Sequence, residues 1–329
     1  MIQATNILKS FAQTKAVDGI SFGVDEGETL VLLGASGSGK TTTLRMLNRL
    51  IEPDGGEIKI NGQDIMSQSP EMLRRDIGYV LQHNSLFPHY TVAKNIGIVP
   101  GLLKWDKKRI ENRTNELLEK MQLNPVEHYG AYPHQLSGGQ QQRVNVARAL
   151  AANPPVLLMD EPFGALDPIT RAGIVKDFRE LDELKKKTIV MVTHDVQEAF
   201  ELGDRICIMD QGKIMQLGTP AELLFHPSNS YVQHFLEKQQ LTLAYKTIKL
   251  EDLPEVRESN EEVRESERAE SGSDGSLEIS SSASVWEAME RLNKEKEGTE
   301  LIITDKNKGV KKASLNDILT AYSRMKSGY

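Results

Sequence analysis

The chain has 329 residues, 39% of them hydrophobic, with a formal net charge of −7 and a pI near 5.6. That is enough for two domains, or for one large domain with an appendage, around a real core. The acidic balance argues against a general nucleic-acid binder, which carries a basic face, and no apolar run approaches the ~20 residues of a membrane span. Cys207 is alone, which excludes an intrachain disulfide and reads as a small core residue. Met1–Asn6 has no basic head leading into an apolar stretch, so a cytosolic chain is expected, with any membrane contact coming through partners.

Residues 1–30 read as strands marked by Ile7, Phe11, Val17, Ile20 and Phe22, with a turn at Asp25-Glu26-Gly27. Phe11 sits in a polar stretch. An aromatic there could stack on an adenine face, but the residues alone favour a core position at a strand end. The apolar run Thr29–Leu33 then leads into Gly34-Ala35-Ser36-Gly37-Ser38-Gly39-Lys40-Thr41, and a helical pattern follows from Thr42 to Leu50. Strand, glycine-rich turn and helix form the context that a G-x-x-x-x-G-K-[ST] phosphate loop requires. Glycines let several backbone N–H groups converge on one anion, and the helix start adds the positive end of its dipole. Lys40 would reach the outer phosphates, and the Thr41 hydroxyl would hold Mg²⁺.

Glu57–Ile60 alternates and Asn61-Gly62 signals a hairpin, which suggests a small antiparallel sheet beside the nucleotide core. Arg75–Gln82 reads as a strand with Gln82 at its carboxyl end, where ligands sit in open α/β sheets; its amide oxygen could meet Mg²⁺ or a water. Residues 92–128 have helical spacing, with Ile110, Leu117, Leu118 and Met121 on one face. Leu136-Ser137-Gly138-Gly139-Gln140 opens another helix, capped by Ser137. This is a second helix start suited to an anion, and a spare one suggests a nucleotide shared between two chains. Val156–Met159 is a buried strand ending in Asp160-Glu161. Asp160 suits Mg²⁺, and Glu161 could orient and deprotonate a water. Thr188–Thr193 is a third buried strand, and His194 at its end could donate to a γ-phosphate. Asp204–Gly218 reads as a hairpin, and residues 220–238 return to helix. Residues 251–271 hold nine acids and no aromatic, the composition of a solvated linker. Residues 277–322 regain order as strand, helix (Val285–Leu292), strand (Glu300–Thr304) and helix (Leu315–Tyr322).

In this order the pieces resemble the ATPase subunit of ABC transporters. Gly34–Thr41, with Thr42 behind it, matches that family's Walker A, Gln82 its Q-loop and Leu136–Gln140 its signature motif. Val156–Glu161 matches Walker B, Ala165-Leu166-Asp167 the D-loop and His194 the switch histidine. The resemblance covers roughly residues 1–238. It implies an α/β P-loop NTPase core with an antiparallel β subdomain and a helical subdomain, about 84–150, within a cassette of residues 1–240. It also implies a head-to-tail dimer with ATP and Mg²⁺ between Walker A of one subunit and Ser137, Gly138, Gly139 and Gln140 of the other. On this resemblance Phe11 becomes the adenine-stacking aromatic, against the reading of its residues alone. Glu161 becomes the general base, with Lys40, Gln82 and His194 as the other catalytic groups, and Thr41, Gln82 and Asp160 as the metal set.

Finer strings, Met46–Pro53, Ser85–Val92 and Glu161–Arg171, look like importers of quaternary-amine osmoprotectants such as glycine betaine, choline and carnitine. Polyamine, iron and sulfate importers share much of these strings and form the alternative. A soluble ABC protein acting on DNA or ribosomes would add a coiled coil, a second ATPase domain or basic arms. A small-molecule kinase would leave the signature and His194 without purpose. An ATP-binding regulator without turnover would not need Lys40, Asp160, Glu161 and His194 intact. The resemblance further implies a second ATPase subunit, expected to be a copy of this chain, integral-membrane permease subunits and, indirectly, an extracytoplasmic solute-binding protein. The complex would sit at the cytoplasmic face of the membrane, with no nucleic acid. Residues 241–276 are expected as an acidic linker. Residues 277–329 are expected as a small α/β appendage that resembles one worn cystathionine-β-synthase-type unit through Val285–Met289 and Leu301–Asp305. Such modules use two units, so sensing and plain docking both stay open.

Overall fold

The computed structural model describes residues 1–82, 86–253, 277–294, 299–305 and 309–327. It divides into two compact units, Met1–Thr219 and Pro220–Tyr329.

The first unit runs β1 (Ile2–Phe11), β2 (Thr14–Val24), β3 (Thr29–Leu33), α1 (Lys40–Leu47), β4 (Gly55–Ile60), β5 (Gln63–Asp64), α2 (Pro70–Arg75) and β6 (Ile77–Val80). The helices α3 (Val92–Leu102), α4 (Lys107–Lys120), α5 (Pro125–His128) and α6 (Gly138–Leu150) follow. It closes with β7 (Val156–Asp160), α7 (Pro168–Glu180), β8 (Thr188–Thr193), α8 (Val196–Leu202), β9 (Arg205–Asp210) and β10 (Lys213–Gly218). Two sheets result. The first is antiparallel with strand order β2-β1-β4-β5, and the Asn61-Gly62 turn, both residues at positive φ, closes its β4–β5 hairpin.

The second sheet has the order β10-β9-β3-β8-β7-β6 and is parallel except for β10 at one edge. Every residue of β7 and β8 is buried, as continuous apolar runs in a two-sided parallel sheet require. Alternate residues of the central strands point to opposite sides. Leu30, Leu32, Leu158, Val190, Val192 and Cys207 join one core with α1 and the antiparallel sheet. Because β3, β6, β7 and β8 are parallel, their carboxyl ends share one edge. That register brings Gly34, Gln82, Asp160, Glu161 and His194 to the same end of the sheet.

The helical subdomain carries the segment after Gln82. Residues 83–85, which begin the expected loop His83–Val92, lie outside the described residues. Beyond them, fully buried Asn95 on α3 holds the chain. Its amide nitrogen donates to the carbonyls of Phe87, Tyr90 and Thr91, and its oxygen accepts from Phe87 N–H. The aromatic rings of Phe87 and Tyr90 stay about half exposed above this bracket, 5.6 Å apart.

The second unit contains α9 (Pro220–Phe225), α10 (Ser230–Glu237), α11 (Gln240–Thr247), β11 (Leu277–Ser280), α12 (Val285–Leu292), β12 (Leu301–Asp305), β13 (Gly309–Ala313) and α13 (Leu315–Ser327). Strand β12 is central, parallel to β11 and antiparallel to β13. The division from the first unit falls before α9 rather than at residue 240. Residues 241–253, expected within the linker, are structured. Ala244, Ile248, Leu250 and Leu253 are buried in one cluster with Ile279, Val285, Leu301 and Ile318, and Val285 N–H donates to the Ile248 carbonyl. Four buried apolar side chains outweigh the polar composition around them. The acidic stretch 254–276 lies outside the described residues.

Candidate functional site

The phosphate loop is shaped by backbone approach. Gly39, the N-cap of α1, has φ +101°, and a Cβ there would lie 2.4 Å from the Ala16 carbonyl oxygen, so a side chain is excluded twice over. No side chain caps α1, and its first-turn N–H groups have no intrahelical acceptor. Lys40 is 5% exposed. Its ammonium donates to the carbonyls of Gly34 and Ala35, both at 2.8 Å. Burial lowers its pKa, and the carboxylates of Glu161 and Asp160 partly offset that.

Asp160 ends β7 fully buried. Its Oδ1 accepts from the Thr41 hydroxyl at 2.9 Å, whereas Oδ2 has no hydrogen-bond partner among the described residues and faces Arg45, with Nη2 3.6 Å away. Burial raises its pKa, against the Thr41 bond and the Arg45 charge. The Tyr79 hydroxyl is also buried, without a hydrogen bond of normal geometry, and its nearby cation is Arg45, which only partly opposes the shift that follows. Burial, with the Asp160 charge behind it, pushes the phenol up to about 12. Glu161 turns the chain at φ +44°, a left-handed conformation that is costly for a side-chain-bearing residue and is held by its N–H bond to the Val192 carbonyl. The Gln82 amide nitrogen donates to Glu161 Oε2 at 2.9 Å, and His194 Nδ1 approaches the same oxygen at 3.2 Å.

The signature segment is self-capped. Ser137 Oγ accepts from Gln140 N–H at 3.3 Å, and Gln140 Oε1 accepts from Ser137 N–H at 2.9 Å, a capping box that opens α6. Gly139 lies tightly against α7: a Cβ on it would fall 3.0 Å from Thr170 and 3.1 Å from Ile174.

The structure therefore joins Thr41 to Asp160, and both Gln82 and His194 to Glu161, by direct contacts, with Lys40 near enough for the Asp160 and Glu161 charges to act on it. Gly34, Ala35, Ser36, Gly37, Ser38, Gly39 and Thr42 surround Lys40 as the loop and the start of α1. Phe11 ends β1 with 48% of its surface exposed and Lys9 Nζ 5.6 Å from its ring centre, so it is not the core residue that its own stretch favoured. The sequence reading missed Arg45 beside Asp160, Asn95 under the Gln82 loop, and Arg171, which joins Leu166 to Asp195. Of these, Arg45 carried a weak signal, since it follows Thr41 by four residues, just over one helical turn.

The ABC transporter family model matches residues 17–164. The chain is also 49% identical over 243 residues to the glycine betaine uptake system ATP-binding protein YehX of Escherichia coli, covering 73% of this chain and 78% of that protein. The chain belongs to the ABC transporter family of ATP-binding proteins. Other relatives include the glycine betaine/carnitine/choline transport ATP-binding protein OpuCA of Bacillus subtilis, 53% identical over 69% of this chain and 60% of that protein. The osmoprotectant import ATP-binding protein OsmV of Salmonella typhimurium is 50% identical over 72% of this chain and 63% of its own. The alignments thus span under two thirds of the length of OpuCA and OsmV. Among solved structures, a dimeric ATP-binding cassette in a post-hydrolysis state with ADP and Pi superposes with a TM-score of 0.60 at 34% identity, over 67% of this chain and 98% of that one. The two-sheet first unit is the fold of such a cassette.

Proposed function

We propose that this chain is the ATP-hydrolysing subunit of an ABC importer for quaternary-amine osmoprotectants. The observation that carries the ATPase reading is the clamp on Glu161, with Gln82 and His194 both on Oε2 beside the Thr41–Asp160 pair. With Oε2 engaged, Oε1 is the oxygen left to accept a proton from the attacking water, the work of a general base. Lys40 and the loop N–H groups spread the charge of the transferring phosphoryl group. The base of ATP stacks on the exposed Phe11 ring.

The residues present fit Mg²⁺. Thr41 Oγ1 and Asp160 are hard oxygen donors, and buried Asp160 Oδ2 accepts no hydrogen bond and has Arg45 only at 3.6 Å, which leaves its lone pairs open to a cation. Bound there, Mg²⁺ would neutralise charge on the β- and γ-phosphate oxygens. The Gln82 oxygen, its nitrogen being turned to Glu161, is a further donor for that site.

Two copies closing head to tail would complete each site with Ser137, Gly138 and Gly139 of the opposite copy. The half-exposed Phe87 and Tyr90 would face a helix of a membrane subunit, so that closure moves that helix. A peripheral location at the cytoplasmic face follows from this docking. The β-α-β-β-α order of residues 277–327 supports reading the appendage as a single cystathionine-β-synthase-type unit. The choice of solute rests on likeness to the osmoprotectant proteins, because no residue of an ATPase subunit touches the transported molecule.

The test is ATP turnover of wild type and Glu161→Gln with Mg²⁺, each with its mass in solution, followed by uptake assays in cells lacking the gene. The substitution is expected to cost ~10²–10⁴-fold in kcat and to trap an ATP-bound dimer. Normal turnover by Glu161→Gln would sink the site assignment. Restored uptake of spermidine, iron or sulfate, but not of betaine, choline or carnitine, would sink the solute assignment.

A further inference from the structure

His194 reaches Glu161 from an exposed position; its side chain is 55% accessible. What fixes it lies on either side of it in the chain. The Thr193 hydroxyl donates to Glu198 Oε2 at 2.6 Å and accepts from Asp195 N–H at 3.0 Å. Asp195 Oδ1 caps α8 by accepting from Gln197 and Glu198 N–H. One guanidinium engages both carboxylates. Arg171 Nη1 donates to Asp195 Oδ2 at 3.0 Å, and Nε stands 3.6 Å from Glu198 Oε1, a charge contact too long for a hydrogen bond. Its remaining nitrogen, Nη2, donates to the carbonyl of Leu166 at 3.0 Å.

Leu166 belongs to the loop before α7, and that loop and helix touch the signature segment. The Leu166 side chain would lie 3.8 Å from a Cβ on Gly138, and Thr170, next to Arg171, presses on Gly139. A guanidinium holds five donors in a rigid plane spread over three nitrogens, a span that the single compact nitrogen of a lysine does not reproduce. Glu198 is 4% exposed, so an unpaired charge there would be costly.

We propose that Arg171 is a positioning residue that ties the Leu166 loop, and through it the signature segment, to the backbone on both sides of His194. This rests on the role given to His194 in the ATPase reading. In a closed dimer the signature segment would serve the opposite copy's ATP, while His194 serves its own. Arg171 then links the two sites through one side chain, and a shift of the loop at the dimer face moves the histidine.

The experiment compares wild type, Arg171→Lys, and Arg171→Met combined with Glu198→Gln. The double variant removes the buried carboxylate that Arg171→Met alone would strand, so it keeps the fold testable. Each is read for kcat and KM of ATP hydrolysis, and for the His194 imidazole signals in histidine-labelled protein, assigned by their loss in His194→Ala. Both variants are expected to keep KM within about twofold and lose kcat on the order of 100-fold, the cost of a small misplacement. The His194 signals are expected to shift or split. Wild-type kcat in the double variant would show that Arg171 only neutralises Glu198, and wild-type kcat in Arg171→Lys would show that charge alone suffices. Either outcome overturns the proposal, as do unmoved His194 signals. A wild type without turnover overturns the ATPase reading itself and leaves the imidazole signals to decide on Arg171.

Discussion

Two helix starts in the first unit face anions in the proposed dimer, and they are built in opposite ways. At α1 the cap is Gly39 in a left-handed conformation with no side-chain bond, next to a buried ammonium and a buried carboxylate with an unpartnered oxygen. The buried ammonium and the buried carboxylate each cost stability in the free chain, while the left-handed cap is a conformation that glycine adopts freely. At α6 the cap is Ser137, and the Ser137–Gln140 box satisfies the helix start from within. The first start is held ready for phosphate at the expense of the fold. The second is content by itself, and a phosphate would have to displace Gln140 from the Ser137 N–H. That difference suits a site in which one half holds the nucleotide and the other half joins only on closure.

The largest expected effect is at the first start. Gly39→Ala forces a left-handed conformation on alanine, about 1–3 kcal/mol, and drives its Cβ into the Ala16 carbonyl. Moving the loop to relieve the clash misaligns the donors. ATP affinity, measured by equilibrium binding, is expected to fall on the order of 100-fold, with a lower melting temperature. Gly37→Ala in the same loop is the control for side-chain space. Gly37 also has positive φ, but a Cβ there meets nothing within 4 Å, so its loss should be smaller. Equal losses would assign the effect to backbone strain alone.

The next effect has the opposite sign on stability. Asp160→Asn abolishes metal-dependent turnover but removes a fully buried charge, so its stability near neutral pH is expected to exceed that of the wild type. Its pH dependence follows from the raised pKa of Asp160. The unfolded chain gives up that proton first, so the wild type loses stability as pH rises from the ordinary carboxylate value through the raised one. The two melting temperatures should nearly coincide near pH 4 and separate toward neutrality, with Asp160→Asn the higher. A gap independent of pH would mean that packing, not charge, separates them.

Both helix starts were legible as strings, because a phosphate loop and a serine-capped glycine pair use local residue types at fixed spacing. So were the buried strands, whose apolar runs have no polar interruption. What could not be read depends on partners distant in sequence or on burial without a period. Arg171 finds Asp195 and Glu198 only because parallel β7 and β8 bring their carboxyl ends together. The segment Gln240–Thr247 becomes a helix by burying Leu243 and Ala244 while Leu241 stays exposed, too sparse a stripe to separate from linker. Strand β13 carries Lys311 and Lys312, and pairing with β12 rather than its own composition makes it a strand. The self-capping of α6 was half visible: Ser137 reads as a cap, but that Gln140 answers it across the same turn is a matter of rotamer.

The smallest effect tests that answer. Ser137→Ala removes the oxygen that accepts from Gln140 N–H and should cost about 1 kcal/mol of stability. Gln140→Ala keeps that cap, leaves Ser137 N–H without the Gln140 oxygen and should cost less, about 0.5 kcal/mol, at the lower end of a typical hydrogen bond. Their effects on closure should diverge further than their melting temperatures. If Gln140 occupies the place a phosphate takes, Gln140→Ala in the Glu161→Gln background should form the ATP-bound dimer at equal or lower ATP than the parent, while Ser137→Ala requires more. The two titrations, read by mass in solution, decide it. Should Gln140→Ala also require more ATP, the glutamine is part of the bound site rather than a placeholder, and the α6 start is preformed after all, like that of α1.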